Sequence, residues 1–253
     1  MADIDSVLVA GATGGTGREI LTQLRNTDLH VRAQTRSTEK AADLARRGVD
    51  EVAVADLLEL DDARSLVEGC DAVLCAVGTP PGPGHLVGRR LVDGEGVRRL
   101  IDAAASVGID LFVYESAIGV GDSREAMPAP FRALIRRSLR AKGESEARLR
   151  ASRLDHVIVR PGKLTDGPAT GVPVVTDGGE TAYGPIARAD VARLMVGALF
   201  TPEARNRTFE VVNEPWLRSE VGDRVEIEWA VPERRPVGSD AGGVGAGRPD
   251  GNG

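Results

Sequence analysis

The segment VLVAGATGGTGREIL, residues 7–21, constrains this chain more than any other. The aliphatic run SVLVAG (6–11) reads as a buried strand, and helical periodicity follows from Thr16 to Arg25. Between them stand Gly11, Gly14 and Gly17. Gly11 permits a tight turn out of the strand, Gly14 lets the backbone approach a pyrophosphate, and Gly17 lets helix and strand pack closely. The helix N-terminus adds free N–H groups and a positive dipole. With Thr13, Gly15 and Thr16, these glycines form a seat for a dinucleotide. Their spacing is G-x-x-G-x-x-G, and the position in the first strand-to-helix turn is what gives the pattern its meaning.

The rest of the chain repeats the strand-then-helix order. Further strands are read at HVRAQTR (30–36), DEVAVAD (50–56), DAVLCAVG (71–78), DLFVYES (110–116), DHVIVRPG (155–162) and RTFEVVN (207–213). Helices are read from Thr38 to Arg47 before Gly48, in LDDARSLVEG, from Leu86 to Val107 before Gly108, from Pro130 to Ser152 and from Asp190 to Phe200. Such alternation closes as parallel βαβ units with right-handed crossovers. The expected fold class is therefore α/β: a Rossmann-type, doubly wound parallel sheet in three α/β/α layers, with a (β/α)8 barrel as the weaker alternative. Residues 1–231 form one domain, with a small substrate region at about 163–185. From Pro232 to Gly253 the chain is Gly- and Pro-rich without apolar periodicity and reads as a disordered tail.

Composition excludes several function classes. Hydrophobic residues make up 42% but aromatics only 3%, which suits a core of Val, Leu, Ile and Ala under a parallel sheet. The net charge is −6 and the basic residues lie scattered among acids, leaving no footprint for a nucleic-acid backbone. The acidic N-terminus does not resemble a signal peptide, and no apolar run reaches 18 residues, so a cytoplasmic protein without membrane spans is expected. Cys70 and Cys75 are too few for a disulfide framework or a zinc site and read as small core residues; no metal site is expected.

About 20 residues beyond the glycine loop, an NAD site carries an acid that holds the ribose 2′-hydroxyl. Here strand two ends with Arg36 between Thr35 and Ser37. A guanidinium matches a phosphate, so NADP(H) is favoured over NAD(H). Asp56, followed by Leu57 at the end of strand three, suits either an adenine amino group or a helix N-cap. Ala76 and Gly78, closing strand four, stand at the same sheet edge as cofactor-binding positions.

Together GATGGTG, Asp56, VDGEGVRRLIDAA (92–104), FVYESAIGV (112–120), LRASRLDHVIVRPGKLTDGPATG (149–171) and IARADVARLMVGAL (186–199) resemble the short-chain dehydrogenase/reductase superfamily. Within it, the chain is similar to the atypical NAD(P)H-binding branch related to NmrA-like proteins and biliverdin reductase B-type flavin reductases. Catalytic members of the superfamily carry Tyr-x-x-x-Lys on a helix, with the tyrosine as general acid and the lysine on the nicotinamide ribose. By that resemblance Lys142 takes the lysine's place, and Ser138 stands where the tyrosine belongs. A serine hydroxyl is too weak an acid near neutral pH to replace an activated phenol. Ser116 corresponds to the substrate-orienting serine, and the backbone of Arg160 and Pro161 is implied to pass beside the nicotinamide.

Glu115 departs from the small or apolar residue expected there, and either enters the outer helix layer or is an ionisable group at the site. Tyr114 reads as core. The stretch 163–185 is the expected substrate-facing loop, holding Lys163 and Tyr183, while His85 is a loop histidine at the same edge.

Three functions remain open at this point. The first is an NADPH-dependent reductase of a small carbonyl, quinone, flavin or similar small-molecule acceptor. The second is a non-catalytic NADP(H)-sensing regulator or assembly factor, as NmrA-like proteins are. The third is a nucleotide-sugar epimerase or dehydratase. Whether the chain pairs with a second copy or with a protein partner is not decided by its sequence.

Overall fold

A computed structural model describes residues 4–60, 62–79, 90–171, 173–179, 183–213 and 223–230. His85 and the segment 232–253 lie outside the described residues. The strands are β1 (Ser6–Ala10), β2 (His30–Thr35), β3 (Glu51–Val54), β4 (Ala72–Cys75), β5 (Leu111–Glu115), β6 (Asp155–Pro161), β7 (Lys163–Thr165), β8 (Val174–Asp177), β9 (Pro185–Ala187) and β10 (Arg207–Val212). The helices are α1 (Gly15–Leu24), α2 (Thr38–Arg46), α3 (Arg64–Val67), α4 (Val97–Val107), α5 (Ala129–Leu134), α6 (Arg136–Arg150) and α7 (Arg188–Gly197).

The main sheet runs β3-β2-β1-β4-β5-β6-β10-β8. Every pairing in it is parallel except β10 with β8. This is the doubly wound Rossmann-type order, and it reverses direction between β1 and β4. That reversal opens the crevice beyond the carboxyl ends of the strands where ligands of such sheets bind.

Because side chains alternate across a strand, the two faces of the sheet carry separate cores. Val7 and Val9 of β1, with Val113 of β5 and Val159 of β6, meet α1, α2 and α7 through Ile20, Leu44 and Met195. Leu8, Ala10, Phe112 and Ile158 meet α3, α4 and α6 through Val67, Leu100 and Leu149. Burying each such aliphatic side chain stabilises the fold by about 1.5–3 kcal/mol. The strands read as near-continuous apolar runs because both faces are covered.

Several boundaries differ from the sequence reading. The segment 163–185, expected as a loop, contains the antiparallel edge strand β8 and a small parallel sheet of β7 with β9. The helix expected from Pro130 to Ser152 is two helices, broken at Ile135, where φ is −104° and ψ is 15°. No glycine or proline marks that break, so the apolar pattern runs through it. Before α4, Val92–Gly96 forms a π-helical turn, a distortion often found at functional sites. Helix α7 starts at Arg188, two residues earlier than the periodicity implied.

Candidate functional site

The glycine loop has the geometry its spacing requires. Gly11 turns out of β1 at φ 77°, and a Cβ there would stand 2.8 Å from the Ala76 carbonyl oxygen. A Cβ on Gly17 would lie 2.2 Å from the Gly11 carbonyl oxygen, so only glycine lets α1 sit this close to β1. Gly14 is exposed, extended (φ −69°, ψ 171°), and no side chain caps the helix behind it. A Cβ at Gly14 would meet the Gly11 carbonyl oxygen at 3.2 Å and rise into the space over the first turn. The loop is therefore a bare cradle at an uncapped helix N-terminus, and it fits a diphosphate.

Gln34, which sequence reasoning passed over, holds this cradle from below. Its side-chain oxygen accepts from the Gly11 N–H at 3.0 Å, and its side-chain nitrogen donates to the Ala55 carbonyl at 2.6 Å. The Thr13 and Thr35 hydroxyls stand 3.5 Å apart beside it. Arg36 is exposed at the end of β2 and forms no ion pair among the described residues. Asp56 accepts from the Leu58 N–H at 2.9 Å, closing a turn; it caps no regular helix. Leu57 is buried, with its Cβ 3.0 Å from the place a Gly96 Cβ would take.

At the carboxyl end of β5 the alternation of side chains sets two environments. Glu115 faces α1, is 6% exposed, and accepts from the Thr16 hydroxyl at 2.9 Å. Burial pushes its carboxyl above the usual range, against the pull of Lys142, Thr16 and Arg188. Glu115 is thus an ionisable group packed under the phosphate loop. Ser116 faces α6, where its hydroxyl donates to Glu146 Oε1 at 2.5 Å.

Lys142 projects from α6 toward the same edge, donating to the Glu115 backbone carbonyl at 2.9 Å, with Asp93 Oδ1 at 3.6 Å and the Tyr114 ring centroid at 5.4 Å. Asp93, on the π-helical turn, is fully buried; its Oδ2 accepts from the Thr79 N–H at 3.0 Å. Asp93 Oδ1, Thr79 Oγ1 and the Tyr114 hydroxyl are buried without hydrogen-bond partners among the described residues. Gly78 borders this group: a Cβ there would be 3.7 Å from Asp93 Oδ1. Ser138, one turn before Lys142, is buried. Asp93, like Gln34, was missed in the sequence, because a carboxylate in a helix interior has no periodic signature.

Arg160 is at the right strand end, but its side chain does not reach the cofactor crevice. It is 2% exposed and turned toward α6, where Nε and Nη2 donate to the Glu146 carboxylate at 2.9 and 2.8 Å. Asp122 and Glu210 complete the cluster. Burial opposes the guanidinium's charge, but the carboxylates of Glu146 and Asp122 outweigh it and hold the group above its usual value. Arg160 and Asp122 line a cleft of about 560 Å³, together with Arg150, Asp177, Arg207 and Thr208.

Of the 163–185 segment, Lys163 is exposed, whereas Tyr183 is buried with its ring 6.5 Å from that of Phe131. Gly162 is fixed by packing, since a Cβ there would lie 2.1 Å from the Gly184 carbonyl oxygen. Asp190, fully buried in the first turn of α7, accepts from the Thr170 N–H and hydroxyl (both 2.9 Å), the Gly171 N–H (3.1 Å) and Asn213 (2.7 Å). Cys75 is buried, and desolvation pushes its thiol up to about 12, which leaves it inert. Among the described residues there is no cluster of His, Cys, Asp and Glu suited to a metal, and no helix is long and apolar enough to cross a membrane.

The sequence profile of a family described as NAD(P)H-binding matches residues 11–202. The chain belongs to that family. It is an NAD(P)H-binding, oxidoreductase-like protein of the atypical short-chain dehydrogenase/reductase type. Among curated family relatives, an uncharacterised chloroplastic protein of Arabidopsis thaliana is 36% identical over 81% of this chain and 76% of its own length. An uncharacterised sugar epimerase of Bacillus subtilis is 29% identical over 81% and 92%. The photosystem II assembly factor Ycf39 of Trieres chinensis is 24% identical over 85% and 66%.

Two solved structures share the family fold. A putative NAD-dependent epimerase/dehydratase of Bacillus halodurans superposes with a TM-score of 0.71 at 31% identity, covering 83% of this chain and 94% of its own. The anaerobillin reductase of Escherichia coli O157:H7 does so at 0.70 and 26%, covering 85% and 100%.

Proposed function

We propose that this protein is an NADP(H)-dependent oxidoreductase that passes hydride to a small acceptor with a delocalised π-system, of the flavin, quinone or tetrapyrrole-like kind. The observation that carries the reading is the bare cradle at Gly14, with Lys142 donating to the last residue of β5 on the same sheet. A bound nicotinamide nucleotide supplies a hydride from its C4 position. The chain's own residues do the rest. Amides of the glycine loop hold the diphosphate, and the exposed Arg36 meets the ribose 2′-phosphate, which makes NADP(H) the favoured form. Lys142 presents a compact, rotatable ammonium to the nicotinamide ribose.

Ser138 and Ser116 do not supply the proton. One is a serine where a phenol is needed, and the other already donates to Glu146. The reaction that fits is one whose proton comes from solvent or from the acceptor itself, as a delocalised acceptor allows. One of the structural neighbours is itself named a reductase, of anaerobillin.

The committed Ser116 hydroxyl and the absence of a phenol at the Ser138 position also favour a second reading: a nucleotide-sensing regulator or assembly factor, as the relation to Ycf39 suggests. Calorimetric titration with NADPH and NADH, followed by anaerobic mixing of the NADPH complex with a panel of flavins, quinones and linear tetrapyrroles, separates the two. Oxidation of NADPH by at least one acceptor supports the reductase; tight NADPH binding with no oxidation across the panel supports the regulator.

A further inference from the structure

Arg188 is the first residue of α7, and α1 and α7 lie side by side on one face of the sheet. Both helices begin at the edge where the cradle opens, α1 directly from β1 and α7 after the β7–β9 pair that follows β6. The Arg188 side chain crosses from one N-terminus to the other. A Cβ on Gly15 would stand 2.5 Å from Arg188 Cδ and Nε and 3.2 Å from Cζ. Gly15 therefore lacks a side chain where Arg188 lies over the loop, and the guanidinium rests on the first turn of α1 beside the exposed Gly14.

A cation has an unfavourable position at a helix N-terminus, and here two such positive ends adjoin. Within the described residues the only ion pair of Arg188 is with Asp166, at 2.7 Å, and that carboxylate is 92% exposed. An exposed partner is screened by water and offsets little. The other nearby acid, Glu115, lies beneath the loop with its hydrogen bond from Thr16. A bare amide cradle at a positive helix end, with a guanidinium lying over it, is complementary to an anion such as a diphosphate.

We infer that Arg188 is a diphosphate-binding residue, closing over the glycine loop from the far end of the sequence. The inference rests on the nucleotide seat proposed above. Asp166 holds the guanidinium in register and competes with the diphosphate for it. The side chain is 26% exposed.

The test is calorimetry on the full chain with NADPH, NADH, ADP and AMP, comparing wild type with Arg188→Gln and Asp166→Asn, and with melting temperatures as a check on folding. Arg188→Gln is expected to weaken NADPH, NADH and ADP by about ten- to a hundredfold, the loss of one charge-assisted contact, and AMP by much less. Asp166→Asn, which keeps the arginine and removes its competitor, is expected to bind NADPH as tightly as wild type or more tightly. Unchanged NADPH and ADP affinity in Arg188→Gln, or equal losses for ADP and AMP, would overturn the assignment, as would weakening of NADPH by Asp166→Asn comparable to that of Arg188→Gln. A wild-type protein that takes up none of the four ligands overturns the nucleotide seat itself, and this inference with it.

Discussion

Lys142 Nζ donates to the backbone carbonyl of Glu115 at 2.9 Å, which ties α6 to the last residue of β5. The same ammonium stands 3.6 Å from Oδ1 of Asp93, a carboxylate with no solvent exposure. A buried charge that loses its partner is strongly destabilising, by about 3–5 kcal/mol. Lys142→Met is therefore expected to weaken NADPH binding and also to lower the melting temperature. Adding Asp93→Asn should recover part of the stability without recovering the affinity. Thermal melts and titrations of the two single variants and the double variant check this; additive losses of stability would show that the two side chains are not coupled.

Restoring a phenol tests the proposed chemistry directly. Ser138 lies one helical turn before Lys142 on α6, where the resemblance to the superfamily puts the acid. If the missing acid limits which acceptors are reduced, Ser138→Tyr should raise the rate with simple ketones and aldehydes, by about a hundredfold or more. Rates with flavins should change little. Equal gains for both classes would contradict the view that delocalised acceptors need no protein acid here.

The glycine loop and the alternation of strands with helices could be read from the sequence because each rests on local rules. Gly11 and Gly17 are demanded by backbone geometry within one turn, and the strands alternate with helices of ordinary length. What could not be read comes from pairs distant in sequence. Arg188 meets Gly15, and Arg160 turns to Glu146 instead of the crevice, through contacts that no periodicity encodes. The three-residue strands β7 and β9 fall below the length at which alternation can be recognised, and β8 sits in a Gly- and Thr-rich stretch that reads as loop. Asp56 was ambiguous for a physical reason: an aspartate after a strand serves a turn amide as readily as a ligand, and here it accepts from Leu58.

Arg36 is the sole basis for preferring NADP(H), and its exposure makes the test clean. Arg36→Asp is expected to weaken NADPH by about tenfold or more while leaving NADH unchanged or tighter, since an acid there can accept from the ribose hydroxyl. Paired titrations with both nucleotides check it. Equal effects on NADPH and NADH would remove the basis for the preference.

The cluster of Arg160, Glu146 and Glu210 is buried on the α6 face of the sheet, where β6 and β10 pair residue for residue at Arg160 and Glu210. Glu146 also receives the Ser116 hydroxyl and an ion pair from Arg150 at 3.0 Å. Glu146→Gln removes the bidentate carboxylate from the Arg160 guanidinium and leaves it Asp122 and Glu210, and should cost about 1.5–3 kcal/mol of stability. Because Ser116 then loses its charged acceptor, hydride-transfer rates should change while NADPH affinity stays within about threefold. Denaturant unfolding and nucleotide titration on the same preparation separate the two effects.

Glu115 gives the fold a pH dependence whose sign can be worked out. Burial raises its carboxyl above the ordinary 4.5, so over the pH range between those two values the folded chain holds a proton that the unfolded chain has released. Stability must fall as pH rises through that window. Below about 4.5 the carboxyl is protonated in both states and the penalty vanishes; above the raised value it is fully present. Glu115→Gln removes the titrating group while keeping an oxygen that can accept from Thr16. The melting temperature of Glu115→Gln relative to wild type should therefore climb as pH rises above about 4.5 and level off once the raised value is passed, by an amount that reports that value. A difference that stayed flat or shrank over that range would mean that the carboxylate under the phosphate loop is already neutralised by Lys142 and Arg188, which compete with burial at this position.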